Sequence, residues 1–325
     1  MKLRVAVLYG GRSGEHEVSI NSAKAIMQHM DPTKYEKIEY FIDKHGKWAP
    51  RPILPEPGAH PEIDVVFPVL HGTFGEDGTV QGLLELADLP YVGAGVLASS
   101  VSMDKEMMKR VCMERMLPVV DYVTVTRENP DVTEACARLP FPMFVKPANL
   151  GSSVGISKAH DFEQLKAAVA LAAQYDHKVI VERGIAGREL ECSVLGNQTP
   201  MASLPCEILP SREFYDYEDK YLLDRAQTIV PADLPPEKTE EVRRLAVECY
   251  RAVECEGMAR VDLLLEAATG QIYINEINTI PGFTSISMFP KMWEHSGISF
   301  SALIDRLIEL ALARHQRKKV TRFTR

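Results

Sequence analysis

The stretch ARVDLLLEAATGQIYINEIN, residues 259–278, predicts the β-hairpin around which the second half of the chain is built. Two strand-like runs flank Ala-Thr-Gly, a composition typical of a three-residue hairpin loop whose glycine adopts the left-handed conformation. In that register Asp262 lies opposite Glu276, and Arg260 lies opposite Asn278. The hairpin therefore carries three oxygen-bearing side chains and one guanidinium on a single face.

The chemistry of this face has two interpretations. Carboxylate and carboxamide oxygens are hard ligands that suit a magnesium ion completed by water and phosphate oxygens, and the lack of histidine or thiolate disfavours zinc. A cross-strand pairing of arginine with carboxylates along a wet groove explains the same residues equally well. The hairpin alone leaves both interpretations open.

Length and composition describe an ordinary globular protein. A chain of 325 residues suggests two or three domains, and 46% apolar with 25% charged residues is typical of a globular protein in water. No apolar run is long enough to span a bilayer, and the first apolar run is too short for a secretion signal. The net charge of −8 argues against nucleic acid as a partner. We therefore expect a cytoplasmic protein without a membrane or nucleic-acid partner.

The six cysteines are scattered and form no C-x-x-C pair, which indicates reduced, mostly buried thiols.

The order of patterns along the chain predicts its organisation. The first hundred residues alternate strand and helix patterns, which indicates a parallel sheet with crossover helices and a boundary near Leu97. A single long helix follows within residues 99–120 and ends at Pro118. The later predicted elements are strands at 141–149, 177–184 and 189–196 and helices at 161–174 and 236–255.

One segment fits neither pattern. Residues 210–227 have no apolar period and are dense in charge and tyrosine. A loop of this length inside a compact enzyme is usually a functional lid or disordered. We predict a lid loop near residues 207–224.

The stretch KPANLGSSVGISK, residues 146–158, predicts a phosphate-binding loop. Lys146 ends a predicted strand, and Ser152 and Ser153 follow between glycines that let the backbone approach a phosphate closely. The stretch is not the P-loop G-x-x-x-x-G-K-[ST]. Because many loops of this composition are only turns, the stretch alone also fits a turn.

Three further acidic residues are candidates for ligand contacts. Glu182 at a strand end and Glu189 just after a glycine suit an adenine amine and ribose hydroxyls, although solvated loop charge also accounts for them. Glu15 follows a glycine turn at the carboxyl end of the first strand, where open parallel sheets bind ligands. It either complements a helix dipole or holds a substrate ammonium. The glycines around it do not fit G-x-G-x-x-G, so an NAD enzyme is disfavoured.

Seven motifs in order carry a resemblance that covers nearly the whole chain. They are GGRSGEHEVS, HGTFGEDGTVQG, DKEMMKR, KPANLGSSVGISK, FYDYEDKY, ARVDLLL and NEINTIPGFTSISMFP. Together they resemble the D-alanine-D-alanine ligases of bacterial cell-wall synthesis, members of the ATP-grasp family. The implied fold class is α/β, with an N-terminal Rossmann-like parallel α/β domain followed by an ATP-grasp fold of two α+β subdomains that grip ATP. The implied divisions are 1–97, 98–184 and 185–325.

The resemblance also implies a reaction. ATP phosphorylates the carboxylate of one D-alanine, and the amine of a second D-alanine attacks the acyl phosphate to give the dipeptide, ADP and phosphate. The implied partners are ATP as co-substrate, two D-alanine molecules and two Mg²⁺ ions, for which Mn²⁺ can substitute. A homodimer is expected from the resemblance alone.

Residue by residue, the resemblance implies the following roles. The metal ligands are Asp262, Glu276 and Asn278, with Glu276 bridging two ions. The groups that stabilise the oxyanion are Arg260 and the backbone N–H of Gly282. The ATP-binding residues are Lys105, Lys146, Lys220, Ser152, Ser153, Glu182 and Glu189. The residues that bind the two D-alanines are Glu15, His71, Ser287 and Met288.

Tyr221 bears on the choice of product. The resemblance implies a hydrogen-bonded triad of Glu15, Ser152 and Tyr221 that closes the lid. Relatives that make D-alanyl-D-lactate differ at the position of Tyr221, so tyrosine favours the dipeptide. The alternatives are an ATP-grasp ligase for D-lactate or D-serine, and a nucleotide-binding regulatory protein without turnover. A regulator is disfavoured because it needs no oxyanion donor such as Arg260.

Overall fold

The computed structural model describes residues 2–151, 154–209, 227–284 and 286–322 and shows a mixed α/β protein with several sheets. The described strands are β1 (Leu3–Gly10), β2 (Tyr35–Ile42), β3 (Trp48–Ala49), β4 (Val65–Pro68), β5 (Tyr122–Thr126), β6 (Met143–Pro147), β7 (Ser157–Ala159), β8 (Lys178–Arg183), β9 (Gly187–Gly196), β10 (Met201–Ala202), β11 (Cys206–Leu209), β12 (Gln227–Ile229), β13 (Gly257–Glu266) and β14 (Ile272–Asn278). The described helices are α1 (His16–His29), α2 (Thr79–Leu86), α3 (Val96–Met103), α4 (Lys105–Glu114), α5 (Thr133–Arg138), α6 (Phe162–Ala172), α7 (Pro236–Ala252), α8 (Met288–His295) and α9 (Phe300–Lys319).

The first sheet confirms the predicted parallel arrangement. Its strand order is β3-β2-β1-β4, and β1 runs parallel to both β2 and β4. The short β3 pairs with β2 in the antiparallel sense at one edge. Because β1 is central and covered on both sides, Val5, Ala6, Val7 and Leu8 are all fully buried.

Two antiparallel sheets follow along the chain. The order β5-β8-β6-β7 forms one of them, with α6 packed against β6 and β7. The order β12-β11-β9-β13-β14 forms the other, with β10 paired to β9. Strands β9 and β13 pair along their whole length, from Gly257 opposite Gly196 to Glu266 opposite Gly187. This ladder is the rigid support of the hairpin identified in the sequence.

The single helix predicted within residues 99–120 is wrong. The segment forms two helices, α3 and α4, which meet at Asp104. Asp104 has an extended backbone, and its carboxylate accepts hydrogen bonds from the N–H groups of Glu106 and Met107. An N-capping aspartate satisfies donors that a continuous helix would bond internally, so it starts a new helix. Lys105 lies in the first turn of this new helix, and its Nζ donates a hydrogen bond to the Leu150 carbonyl.

The hydrophobic core crosses the predicted domain divisions. Trp293 of α8 and Leu307 of α9 share one cluster with Val7 and Phe67 of the first sheet. A second cluster joins Met108 and Cys112 of α4 to α7 and to the sheet that contains β9 and β13. The C-terminal helices are therefore packed against the N-terminal sheet. The divisions at 97 and 184 stay a prediction.

Two expectations about residue environment can be compared with the structure. All six cysteines are free, and all but Cys136 are buried, as predicted. Within the described ranges, no helix is long and apolar enough to cross a membrane.

Most of the predicted lid falls in 210–226, outside the described residues.

The β9–β13 ladder makes Gly187→Ala an informative change. A Cβ at this position would lie 1.9 Å from the Leu265 carbonyl oxygen, so one strand must shift. We expect the free energy of unfolding to fall by about 1–3 kcal/mol, measured by urea denaturation. Gly82→Ala in α2 is the control, since a Cβ there meets nothing within 4 Å, and it should stabilise by up to about 1 kcal/mol. Equal midpoints for both variants would contradict this assignment.

Candidate active site

The hairpin of β13 and β14 has the predicted residue pairs at the end that carries Arg260 and Asn278. Nearer the turn its register differs from the predicted one. Arg260 pairs with Asn278, and Asp262 pairs with Glu276, as predicted. The register then shifts by one residue between Asp262 and Leu263. The predicted three-residue loop is therefore wrong: the Glu266 N–H donates to the Gln271 carbonyl, which leaves a four-residue loop. Its glycine has the predicted left-handed backbone, with φ of 69°.

The register shift is a β-bulge at Asn275. With strict alternation, Glu276 would point into the core with Ile274, because side chains two apart share a face. The bulge inserts one residue, so Ile274 and Ile277 are buried while Glu276 and Asn278 are only partly buried on the opposite face. The carboxylate and the carboxamide thus reach the same partly exposed surface.

Arg260 neutralises the acidic groups beside it. Its guanidinium donates to both oxygens of Asp262, with two bonds of 2.6 Å, and its Nε lies 3.3 Å from Glu191. Burial lowers the pKa of Arg260, but the Asp262 and Glu191 carboxylates outweigh burial and hold that pKa well above its usual value. Arg260 thus pairs with Asp262 two residues along the same strand and with Glu191 on the neighbouring β9, whereas the pairing considered from the sequence ran across the hairpin. Asp262 stays on the same face as Glu276.

Two predicted phosphate lysines reach this face from other elements. Lys105 Nζ lies 3.4 Å from a Glu276 oxygen and donates to the Leu150 carbonyl at 2.8 Å. Lys146 donates to the side-chain oxygen of Asn275, the bulge residue, at 3.0 Å. The face therefore combines carboxylates with cations contributed by α4 and β6, an arrangement suited to a polyphosphate with bound cations.

Glu182 is buried between two lysines. Its Oε2 lies 2.6 Å from Lys146 Nζ, and its Oε1 lies 2.8 Å from Lys109 Nζ. Burial raises the pKa of Glu182, but the two ammonium groups outweigh it and lower that pKa to about 2. Glu182 is thus a fixed interior anion, not solvated loop charge. Glu189 lies on β9, the next strand along the chain, and is partly buried.

Glu15 lies where two glycine-containing loops approach the first sheet. A Cβ added to Gly72 would come within 2.7 Å of a Glu15 carboxylate oxygen, and one added to Gly151 would come within 3.3 Å. The Glu15 N–H donates to Ser13 Oγ, which in turn donates to the His71 carbonyl. Glu15 therefore sits between the loop after β4 and the start of the predicted phosphate loop.

His71 connects the first sheet to the segment after β14. Its Nδ1 is 2.8 Å from the Ile280 carbonyl, so Nδ1 carries a proton, and its Nε2 is 3.1 Å from Ser22 Oγ. Ser22 Oγ also accepts from the Phe283 N–H at 3.2 Å. Burial lowers the pKa of His71, but the nearby Glu76 carboxylate outweighs it and the pKa is raised.

A cavity of about 280 Å³ opens at the carboxyl edge of the first sheet. Its walls include Gly11, Ser13, Trp48, His71 and Leu83. This edge therefore has room for a small ligand beside the loop that contains Ser13.

Gly282 and Ser287 face each other before α8. A Cβ at Gly282 would lie 2.8 Å from Ser287 Oγ, so only glycine lets these two groups stay this close. Ser287 Oγ accepts from the Thr284 N–H at 2.9 Å and fixes the turn. Met288 is the first residue of α8, whose free N–H groups favour an anion at this end.

The predicted metal ligands fit a divalent cation in chemistry. Asp262 and Glu276 are directly opposite in the register, and Asn278 adds a neutral oxygen two register positions along. Among the described residues, no group of three His, Cys, Asp or Glu side chains forms a metal site. Because Asn278 replaces a third carboxylate, these residues suit a cation that also takes oxygens from phosphate.

Four of the predicted site residues lie outside the described part of the chain, and four residues that the structure brings to the site were not predicted. Ser152, Ser153, Lys220 and Tyr221 lie outside the described residues. The sequence reading missed Glu76, Lys109, Glu191 and Asn275. A spacing of three between the buried isoleucines of β14 signals the bulge, and Lys109 lies one turn after Lys105 on the same helix face. No spacing signals Glu76.

Comparison with known proteins covers both halves of the chain. The family description "D-ala D-ala ligase C-terminus" matches residues 111–309, and "D-ala D-ala ligase N-terminus" matches residues 4–59 and 54–94. A D-alanine–D-alanine ligase of Solibacter usitatus is 79% identical over the full length of both chains. One from Thermoanaerobacter sp. strain X514 is 50% identical, over 98% of each chain.

Solved structures agree with the sequence relatives. The D-alanine-D-alanine ligase from Coxiella burnetii superposes with a TM-score of 0.88 at 40% identity, covering 98% of this chain and 96% of that one. The VanG D-Ala:D-Ser ligase from Enterococcus faecalis has a TM-score of 0.88 at 36% identity and covers 96% of this chain and all of its own.

The charge on Glu182 predicts a pH-dependent contribution to stability. The folded-state pKa of about 2 lies below the ordinary 4.5, so the stabilisation is complete above about pH 4.5 and is lost as pH falls toward about 2. We expect Glu182→Gln to cost about 3–5 kcal/mol near pH 7, because it strands two buried cations. In urea titrations this deficit should shrink below about pH 4.5.

The control is Glu163→Gln, which removes an exposed glutamate paired with Lys166. Its deficit should stay near zero at every pH. A Glu182→Gln deficit that is constant from neutral to acid pH would contradict the buried ion-pair assignment.

Proposed function

This chain belongs to the D-alanine–D-alanine ligase family, and from that premise we propose that it works through a D-alanyl phosphate intermediate. As a family member it is an ATP-dependent ligase with an ATP-grasp fold. It joins two D-alanines into the dipeptide that cell-wall synthesis uses. The finer assignments below are proposals about how its residues perform this reaction.

The observation that carries the proposal is the shared face of the β13–β14 hairpin. Arg260, Asp262 and Glu276 lie together there, with Lys105 within 3.4 Å of Glu276. Phosphoryl transfer asks a protein mainly to position its reactants and to neutralise developing negative charge. A cluster of fixed cations and carboxylates next to a glycine-rich loop meets both demands.

In the first step, a D-alanine carboxylate oxygen attacks the γ-phosphorus of ATP. A new P–O bond forms, the bond to the β-phosphate oxygen breaks, and ADP leaves with the electron pair. We assign Lys105, Lys146, Lys220, Ser152 and Ser153 to the phosphate oxygens. We assign Glu182 and Glu189 to the adenine amine and the ribose hydroxyls.

Asp262, Glu276 and Asn278 would hold two Mg²⁺ ions, or Mn²⁺ in their place. Divalent ions supply charge neutralisation for the phosphate oxygens. Arg260 holds the Asp262 carboxylate on the shared face, since its guanidinium donates to both carboxylate oxygens.

In the second step, the amine of the second D-alanine attacks the acyl carbon. A C–N bond forms, phosphate leaves, and the amine releases a proton to water. Glu15, with His71 near it, holds the ammonium of the first D-alanine. Ser287 and the backbone at Met288 hold the carboxylate of the second. Arg260 and the N–H of Gly282 stabilise the oxyanion of the tetrahedral intermediate.

Several coarser features complete the proposal. We propose a cytoplasmic homodimer, because ATP and the acceptor amino acid are both cytoplasmic metabolites and because family members are expected to pair. We also propose the divisions 1–97, 98–184 and 185–325 with a lid near 207–224. Strands of the first sheet all fall before residue 97, which supports the first division.

The acceptor has two alternatives, D-serine and D-lactate. The VanG relative, named a D-Ala:D-Ser ligase, covers nearly the whole chain. D-lactate is a further candidate acceptor. The identity of residue 221 as tyrosine favours D-alanine, and product analysis separates the three.

The test is phosphate release from ATP and Mg²⁺ with D-alanine, with L-alanine, and with D-alanine plus D-lactate or D-serine, with products identified by mass. Release with D-alanine alone, giving the dipeptide, supports the proposal. Tight ATP binding without turnover on any amino acid would contradict it and favour a regulatory protein. Trapping the acyl phosphate with hydroxylamine tests the intermediate itself.

Arg260→Ala separates catalysis from nucleotide binding. We expect turnover to fall by about a hundredfold or more while ATP affinity changes little, because a transition-state donor is removed. Steady-state kinetics and calorimetric ATP binding provide the two measurements. Arg260→Lys keeps one charge but not the two-bond fork, and should retain intermediate activity. An unchanged turnover number for Arg260→Ala would exclude this role.

Tyr221→Phe tests the specificity assignment. Loss of the phenol removes a donor from the proposed triad with Glu15 and Ser152, so we expect the ratio of depsipeptide to dipeptide to rise. Product ratios from mixed D-alanine and D-lactate are measured by mass across a pH series. A ratio that stays at the wild-type value at every pH would mean that Tyr221 does not control the acceptor.

A further inference from the structure

A buried lysine outside the assigned site contacts one of its residues. Lys109, on α4, is fully buried, and its Nζ lies 2.8 Å from Oε1 of Glu182. The other carboxylate oxygen of Glu182 lies 2.6 Å from Lys146. Glu182 therefore lies between two ammonium groups, those of Lys109 and Lys146, in the interior between α4 and the β5-β8-β6-β7 sheet.

The two lysines are not equivalent. Lys146 also donates to Asn275 on the hairpin face, so it bridges Glu182 and the proposed phosphate site. Lys109 contacts Glu182 and lies 5.7 Å from the centre of the Tyr122 ring at the start of β5. These contacts tie Lys109 to Glu182 and β5, whereas Lys146 reaches the hairpin.

The proposed function places competing demands on Lys146. A lysine that serves the ATP phosphates must direct its ammonium at them, and it then compensates Glu182 less well. A buried carboxylate that loses its counter-ion is costly or takes up a proton. Lys109 removes this conflict, because it stays beside Glu182 whatever Lys146 does.

We propose that Lys109 is a positioning residue for the nucleotide: it holds Glu182 ionised and oriented toward the adenine amine and leaves Lys146 available to the phosphates. This inference rests on the proposed adenine contact of Glu182. The proposal also makes Lys109 and Glu182 responsible for the selection of adenine over guanine. A carboxylate accepts from the amine of adenine and repels the carbonyl oxygen that guanine carries at the same ring position.

Lys109→Met tests the proposal, and Lys178→Met is its matched control. Lys178 lies on the same strand as Glu182, and its Nζ pairs with Asp104 at 2.6 Å and Glu106 at 3.1 Å, so it joins the same helix to the same strand. If Lys109 only anchors α4 on β8, the two variants will behave alike.

The measurements are calorimetric dissociation constants for ADP and GDP, and Michaelis constants for ATP and D-alanine, on the full chain. For Lys109→Met we expect ADP to bind about tenfold more weakly, as for the loss of one charge-assisted hydrogen bond, with a smaller preference for ADP over GDP. The Michaelis constant for ATP should rise and that for D-alanine should stay within about twofold. Lys178→Met should leave all four values within about twofold of wild type.

A double variant guards against a folding defect. Lys109→Met with Glu182→Gln removes one charge of each sign, so only Lys146 loses an ionic partner, and Lys146 keeps its hydrogen bond to Asn275. It should fold, shown by urea unfolding, and should have lost the preference for ADP over GDP. A double variant that keeps the wild-type preference would overturn the proposal.

The remaining outcomes separate this inference from the proposed function. If Glu182→Gln changes the preference for ADP while Lys109→Met behaves like Lys178→Met, the role of Lys109 is wrong and the adenine contact stands. If neither Glu182→Gln nor Lys109→Met changes the preference, the adenine contact of Glu182 is wrong, and the inference fails with it. Dipeptide synthesis by wild type is unaffected by either result.

Discussion

The β-bulge at Asn275 is the constraint on which the site depends. Without it, Glu276 would share the core face with Ile274, and an ionised carboxylate there would have no cation to pair with. With it, Glu276 and Asn278 turn toward the face that already carries Arg260 and Asp262. The carboxamide of Asn275 also receives Lys146, so the same backbone irregularity positions both an anion and a cation.

Charge balance then links the parts of the molecule. Arg260 pairs with Asp262, Lys105 lies near Glu276, and Lys146 and Lys109 compensate Glu182. These partners come from α4, β6, β8 and the hairpin, so no single element could assemble the site. Buried charges of this kind are stable only when each has a partner with good geometry. Protein partners therefore already hold these cations in place, which for the proposed reaction would reduce reorganisation during catalysis.

The packing of the C-terminal helices explains how the loops proposed to bind the two D-alanines are held. Helices α8 and α9 pack on the first sheet, and Arg314 of α9 donates to the carbonyls of Tyr91 and Gly93. His71 and Ser22 connect the same sheet to the segment of Ile280 and Phe283. The loops that carry Glu15, Gly282 and Ser287 therefore rest on one continuous core, although they are far apart in the chain.

The sequence by itself determined the parallel first sheet, the hairpin, the pairing of Asp262 with Glu276 and, through its ordered motifs, the family. These features depend on local apolar periods and short-range spacing, which are written directly in the residue order. The break at Asp104, the bulge at Asn275, and the partnerships of Lys109, Glu76 and Glu191 were decided only by tertiary structure. Each depends on which distant side chain offers an opposite charge or which face becomes buried, and residue spacing along one chain does not encode those distances.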